Sequence, residues 1–194
     1  MAGLLLAAGE GRRMGQPKAL VRDPDGIAWS VHAARVLRDA GCDPVRVVVG
    51  AAAADVLALL TAEPSDDALD VVVAVDWQEG MSASLRAGLG GLDVVAPDAE
   101  AVLVHLVDLP DVGPDVMSRV AAAAAPSVLA RAVYHGRVGH PVLLGREHWA
   151  GVSADVHGDA GARGYLSGRS VRAIECGDLA AGDDVDAAAT RTDM

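Results

Sequence analysis

The residues best suited to chemistry lie between Leu4 and Leu20, LLLAAGEGRRMGQPKAL, where a glycine-rich loop leads to three cations, Arg12, Arg13 and Lys18, within seven residues. Ala7, Ala8, Gly9 and Gly11 remove the side chains that would hold a ligand off the backbone, so amide N–H groups can reach an anion there. The chain as a whole has a formal net charge of −11, and the loop is a positive patch on a surface that otherwise repels anions. Lys18 is the single lysine beside fifteen arginines. A compact ammonium can sit as a point charge between a transferring phosphoryl group and its leaving group, where a planar guanidinium needs more room. The pattern points to a phosphate-rich ligand.

Two better-known glycine loops fit less well. A P-loop places Ser or Thr after its lysine to meet a magnesium ion, and here Ala19 follows Lys18. GEGRRM, from Gly9 to Met14, is nearer to the dinucleotide pattern, but Met14 stands at the third glycine and Pro17 interrupts the helix that should begin there. An NAD(P)H-dependent oxidoreductase is therefore the rival reading, and it predicts dinucleotide binding that needs no magnesium. Further along, Asp108 directly follows the apolar run Ala101–Val107, so its carboxylate should project at the same sheet edge as the loop, either to hold a hard cation or simply to start a turn before Pro110.

Leu6-Ala7-Ala8-Gly9-x-Gly11-x-Arg13-Met14-Gly15-x-Pro17-Lys18-Ala19-Leu20 resembles the signature loop of the MobA/MocA-like nucleotidyltransferases, which move a nucleoside monophosphate from an NTP to a phosphorylated acceptor. Val107-Asp108-Leu109-Pro110, Gly80-Met81-Ser82-Ala83-Ser84-Leu85, Gly139-His140-Pro141 and Gly158-Asp159-Ala160-Gly161-Ala162-Arg163 resemble further elements of that family. The resemblance implies a three-layer Rossmann-like fold and a nucleotide site at Leu6, Ala7, Ala8, Gly9, Gly11, Arg13, Lys18, Gly80, Met81, Ser82 and Ser84. It implies catalytic roles for Arg13, Lys18 and Asp108, and Mg²⁺ on Asp108. It also implies an acceptor site at Gly139, His140, Pro141, Asp159 and Arg163. Ser82 and Ser84 either read the base edge or serve as ordinary helix caps.

Cytidylyl enzymes of the family carry Leu-Ala-Ala-Gly and guanylyl enzymes Leu-Ala-Gly-Gly, so Ala8 places this chain with the molybdenum cofactor cytidylyltransferases. CTP and a molybdopterin-type acceptor are the implied partners, with a molybdoenzyme or its chaperone as a protein partner. A guanylyltransferase acting on another phosphorylated acceptor, and a ligand-binding relative without catalysis, are the alternatives. Asp184-Val185-Asp186 matches only the start of the family's ending, so a second metal carboxylate would come from Asp184 or, as the resemblance prefers, Asp186.

An α/β fold with a mostly parallel, doubly wound sheet is expected to position these residues. Leu4–Leu6, Val45–Val49, Val71–Val75 and Ala101–Val107 read as strands, the first as a continuous apolar run of the kind buried on both faces. Helices are predicted over Ile27–Ala40 and Ala51–Leu60, with a turn at 63–67 and another helix opening near Gly80. Such alternation implies parallel strands with ligands at their carboxyl ends. A length of 194 residues predicts a single domain, 1–194, with the tail beyond about 178 poorly defined. Hydrophobic residues make up 52 %, without any Phe, so the core must be aliphatic. The acidic balance argues against nucleic acid or anionic membrane as partners. Cys42 and Cys176, far apart and without metal spacing, suit buried thiols in the cytoplasm.

Overall fold

The computed structural model describes residues 1–62 and 69–185. One seven-stranded sheet runs in the order β3-β2-β1-β4-β6-β5-β7. The strands are β1 (Ala2–Ala7), β2 (Val45–Val49), β3 (Asp70–Val73), β4 (Ala101–Leu106), β5 (Leu129–Tyr134), β6 (Arg137–Gly145) and β7 (Arg172–Glu175). The helices are α1 (Trp29–Asp39), α2 (Ala53–Thr61), α3 (Met81–Leu89), α4 (Leu92–Val95), α5 (Pro114–Ala121), α6 (Trp149–Asp155) and α7 (Arg163–Leu166). β1 lies between β2 and β4 and is parallel to both, which sets Ala7 and Leu6 beside the ends of its neighbours.

Both faces of the central strands are covered, which explains their largely apolar sequence. Leu5, Val47 and Leu103 pack with Val31 and Leu37 of α1, Val56 of α2 and Met117 of α5. Leu4, Leu6, Val48 and Val104 pack with Leu85 of α3, Leu92 of α4, Trp149 of α6 and Tyr165 of α7. Cys42 and Cys176 are buried free thiols, and burial pushes that of Cys42 up to about 11. Among the described residues no helix is long and apolar enough to cross a membrane.

One expectation needs correction. The strand predicted to reach Val75 ends at Val73: Ala74 N–H bonds the Val49 carbonyl, the chain then turns, and Val75 is 88 % exposed. The sheet is mostly parallel, as expected, with β6 antiparallel to both β4 and β5. His135 and Gly136 both have positive φ, 51° and 85°, and the mirror-image turn they form matches the strand twist and folds β5 directly back as β6. The segment after residue 178 is bound as far as it is described: the Asp111 carboxylate accepts from the Ala181 and Gly182 amides, and Arg137 pairs with Asp183. The predicted turn at 63–67 and Asp186 lie outside the described residues.

A buried charge holds the β3 edge. Arg46 on β2 is only 3 % exposed. Its Nε donates to Asp70 Oδ2 of β3 at 2.5 Å, and its Nη1 donates to the carbonyls of Gly88 and Gly90 at the end of α3, at 3.0 and 2.7 Å. Removing one partner of such a set leaves the others desolvated and unmatched. Arg46→Ala is therefore expected to lower stability by about 3 kcal/mol in denaturant titration. A loss below about 1 kcal/mol would show that water replaces the guanidinium freely.

Candidate active site

The loop after β1 folds back on itself through Gly11, whose φ is +65° and where any Cβ would collide with the Gln16 carbonyl. Arg12–Met14 and Lys18–Leu20 form two short 3-10 turns, the second starting at Pro17. α1 fixes that second turn from behind: the fully buried Ser30 Oγ donates to the Ala19 carbonyl at 2.8 Å, and Trp29 N–H donates to the Val21 carbonyl at 2.8 Å. Lys18 Nζ consequently reaches Asp108 Oδ2 at 2.7 Å, with each side chain 16 % exposed. Asp108 follows β4, and its carbonyl accepts from Val185 N–H at 3.0 Å, which ties the C-terminal segment to the same point.

Two cavities meet at this pair. The first, of about 390 Å³, runs from Gly9, Glu10, Gly11, Arg12 and Lys18 to Trp77, Gln78, Gly80, Met81 and Ser84. Leu6 and Ala8 form its floor, and Ala8 is itself packed tightly, since a Cβ at Gly50 would lie 2.9 Å from the Ala8 methyl and 2.7 Å from the Trp77 ring. The second, of about 340 Å³, is bounded by Arg131, Gly139, His140, Val142, Ala162, Arg163 and Asp184. Met81, Leu106, Asp108 and Asp159 line both. Asp159 lies against Gly80, whose φ of +108° and absent Cβ make room for its carboxylate. A group bound in one cavity can thus meet a group bound in the other across Asp108.

The structure therefore gathers Leu6, Ala8, Gly9, Gly11, Lys18, Gly80, Met81, Ser84 and Asp108 around the first cavity, and Gly139, His140, Asp159 and Arg163 around the second. Ala7 is buried in the core beneath the loop, and Pro141 does not line the second cavity. Arg13 is exposed and outside the lining of both cavities, whereas its neighbour Arg12 lines the first, held by Glu10 at 2.8 Å. The cap reading of the serines fails: α3 is entered through Gly80 without a side-chain cap, and Ser82 Oγ is buried with no partner among the described residues. Trp77, Gln78, Arg131 and Asp184 were not singled out as site residues by sequence reasoning, except Asp184 as an alternative metal ligand. Trp77 and Gln78 follow the predicted Val71–Val75 strand, which could have signalled them, and Arg131 has no such signal.

His140 lies within β6 rather than in a glycine loop, and Tyr134 Oη donates to its carbonyl at 2.6 Å. Among the described residues no three His, Cys, Asp or Glu side chains cluster as a closed metal site. The donors on offer are hard carboxylate oxygens, Asp108 at the shared wall and Asp184 on the second cavity. Such a set fits a cation of the magnesium type, which takes one or two carboxylates and completes its shell with substrate phosphates and water.

A sequence model of the MobA-like NTP transferase domain matches residues 3–174. The chain is 35 % identical over 196 aligned residues to the nicotine blue oxidoreductase of Paenarthrobacter nicotinovorans, covering 96 % of this chain and 92 % of that protein. It is 33 % identical to a probable molybdenum cofactor guanylyltransferase of Opitutus terrae over 53 % of this chain and 50 % of that one. Two crystal structures of one Mycobacterium tuberculosis protein share the fold. They align with TM-scores of 0.76 and 0.72 at 31 % and 29 % identity, each over 90 % of this chain and 87 % of theirs, and the second is a complex with manganese.

Two buried histidines give the fold an acid-sensitive term. Burial pushes His140 down to about 4, with Arg163 adding to the fall and Asp108 and Asp184 opposing it. His105 of β4, with its Nδ1 unpartnered among the described residues, is pushed to about 3, mainly by burial and then by His140 and His32. Both stay neutral in the folded chain while the unfolded chain takes up protons near pH 6.5, so stability holds above that pH and falls as pH drops towards 4. Each group contributes a slope of up to about 1.4 kcal/mol per pH unit in that window. His105→Leu is expected to flatten the fall in Tm between pH 6.5 and 4.5, and an unchanged slope would place the acid sensitivity elsewhere.

Proposed function

This chain belongs to the MobA-like NTP transferase family, and from that premise we propose that it transfers CMP from CTP to the phosphate of a molybdopterin-type cofactor with release of pyrophosphate. The observation that carries the reading is the Lys18–Asp108 pair, with Lys18 lining the first cavity and Asp108 lining both. The first cavity takes the nucleotide, its phosphates over the amides of Gly9 and Gly11 and its base towards Ala8, Trp77 and Ser84. The second takes the acceptor. An acceptor phosphate oxygen attacks the α-phosphorus from the Asp108 side, the α–β bond breaks, and pyrophosphate departs past the loop without a covalent enzyme intermediate.

The chain's own contribution is positioning and charge. Lys18 neutralises charge on the bridging oxygen as the α–β bond breaks. Arg12 at the cavity mouth and Arg13 on the same turn hold the β and γ phosphates. Asp108 would hold the divalent cation, which supplies Lewis-acid neutralisation of the phosphate oxygens. Magnesium is the proposed ion, and the manganese complex of the M. tuberculosis relative supports a divalent metal of this kind.

The P. nicotinovorans relative is named an oxidoreductase, and a second reading is oxidoreduction, with the glycine loop taking a nicotinamide dinucleotide. Against it, the glycine loop leads here into two 3-10 turns rather than a helix, so no helix N-terminus is aimed at a dinucleotide pyrophosphate. Incubation with each of the four NTPs, Mg²⁺ and a molybdopterin-type acceptor should release pyrophosphate, most rapidly with CTP. NADH oxidation without pyrophosphate release from any NTP would transfer the assignment to the second reading.

Lys18→Ala and Asp108→Asn are each expected to lower kcat/KM by about a hundredfold or more, near 3 kcal/mol of transition-state stabilisation. Because the two groups touch, the double variant should lose much less than the product of the single losses. Simple multiplication would show that they act apart. For base choice, the Ala8 methyl narrows the packed floor beside Trp77, so CTP should exceed GTP in kcat/KM by about two orders of magnitude. Ala8→Gly should shrink that ratio. Equal use of both nucleotides by the native chain, in keeping with the name of the O. terrae relative, would instead make it a guanylyl-competent enzyme.

A further inference from the structure

We infer that Arg131 anchors the acceptor by a phosphate monoester, gripping it jointly with Arg163. This inference rests on reading the second cavity as the acceptor site and names the class of acceptor that the cavity selects. Arg131 lies midway along β5 and pairs in register with Val142 of β6, and both line the cavity. The β5–β6 register shifts between Arg131 and Val133, a local irregularity of the kind that re-aims a side chain. Arg163, at the start of α7, lines the same cavity from a different layer. Two guanidiniums thus face one space from a strand and from a helix.

Neither guanidinium in this cavity has a side-chain or backbone partner among the described residues. Arg46 and Arg146 are saturated by backbone carbonyls, and Arg12, Arg86, Arg119 and Arg137 each grip a carboxylate. Arg131 is half-buried, and neither it nor Arg163 makes a hydrogen bond or ion pair with any described residue. Asp159 and Asp184 line the same cavity, yet neither comes within ion-pairing distance of these two arginines. Partial burial of a guanidinium without a partner costs stability, and a structural role would have supplied the partner. Phosphate oxygens match the planar fork in pairs, and two forks together suit a dianion. His140 lines the same cavity and is neutral at physiological pH, so it adds no charge there.

The test compares Arg131→Met, Arg131→Lys and the native full-length chain. In Arg131→Met the KM for the acceptor should rise at least about tenfold and kcat should fall with it, because the gripped phosphate is also the attacking group, while the KM for NTP stays little changed. Arg131→Lys should recover part of the loss, because charge returns without the fork. With no ligand added, Tm should stay level or rise in Arg131→Met, as an uncompensated charge is removed. A fall of several degrees would make Arg131 a structural residue and overturn the inference.

Calorimetric titration with inorganic phosphate, in a Lys18→Ala background that weakens the glycine loop, provides a readout independent of turnover. Affinity should drop about tenfold or more on Arg131→Met. Equal phosphate affinity, or a defect confined to the KM for NTP, would overturn the inference. If no NTP yields pyrophosphate while phosphate binding still depends on Arg131, the anion anchor stands and the transferase reading falls.

Discussion

Lys18 and Asp108 are 90 residues apart in the chain and 2.7 Å apart in space, and each lies mostly out of water. Two such charges are tolerated there only because they face each other, and holding them so demands much of the fold. The loop after β1 must double back at Gly11, Ser30 must clamp the turn at Ala19, and β4 must lie beside β1 with its end level with the loop. A doubly wound sheet supplies that last condition, because the ends of adjacent parallel strands open on one side. Asp108 of this pair lines both cavities and Lys18 the first, so the electrostatic requirement of the fold and the geometry of the site coincide.

Much of this was legible from the chain. Continuous apolar runs with glycine or aspartate at their ends, as in Leu4–Gly9 and Val102–Asp108, declare buried parallel strands and the residues that cap them. The bend through Gly11 follows from its neighbours, since nothing bulkier could accept that φ. Less legible was whatever depended on a distant partner. Arg46 sits in a valine run and reads as a surface interruption, yet it is buried because Asp70 and two carbonyls of the α3 end converge on it. β6 reads as a glycine-dense loop because Gly136, Gly139 and Pro141 dilute its strand signal, and only the hairpin at His135–Gly136 decides its direction. Arg131 carries no local pattern at all, and its role comes from which strands the topology sets side by side.

Close approach is a recurring device around the second cavity. Gly139 and Gly182 both lie against the Tyr134 ring, where an added Cβ would clash, so β6 and the C-terminal segment settle on one aromatic face. Tyr134 in turn bonds the His140 carbonyl, and Asp111 holds the amides of Ala181 and Gly182. Asp184 is thereby brought to the cavity wall although it belongs to no regular element. A segment with weak periodicity can be well placed when glycine, an aromatic surface and a carboxylate acceptor define its path together.

The bond from Val185 N–H to the Asp108 carbonyl also bears on the order in which the protein is made. β1, β2, β3 and β4, with the loop that bears Lys18, can assemble once about the first half of the chain has left the ribosome, because each pairs with a strand already present. The wall beyond Asp108 cannot. β6 enters between β4 and β5 only after residue 145, β7 follows, and the segment carrying Asp184 docks when synthesis is nearly finished. A nascent chain would therefore hold a formed glycine loop next to an unfinished second chamber until the segment carrying Asp184 has emerged and docked.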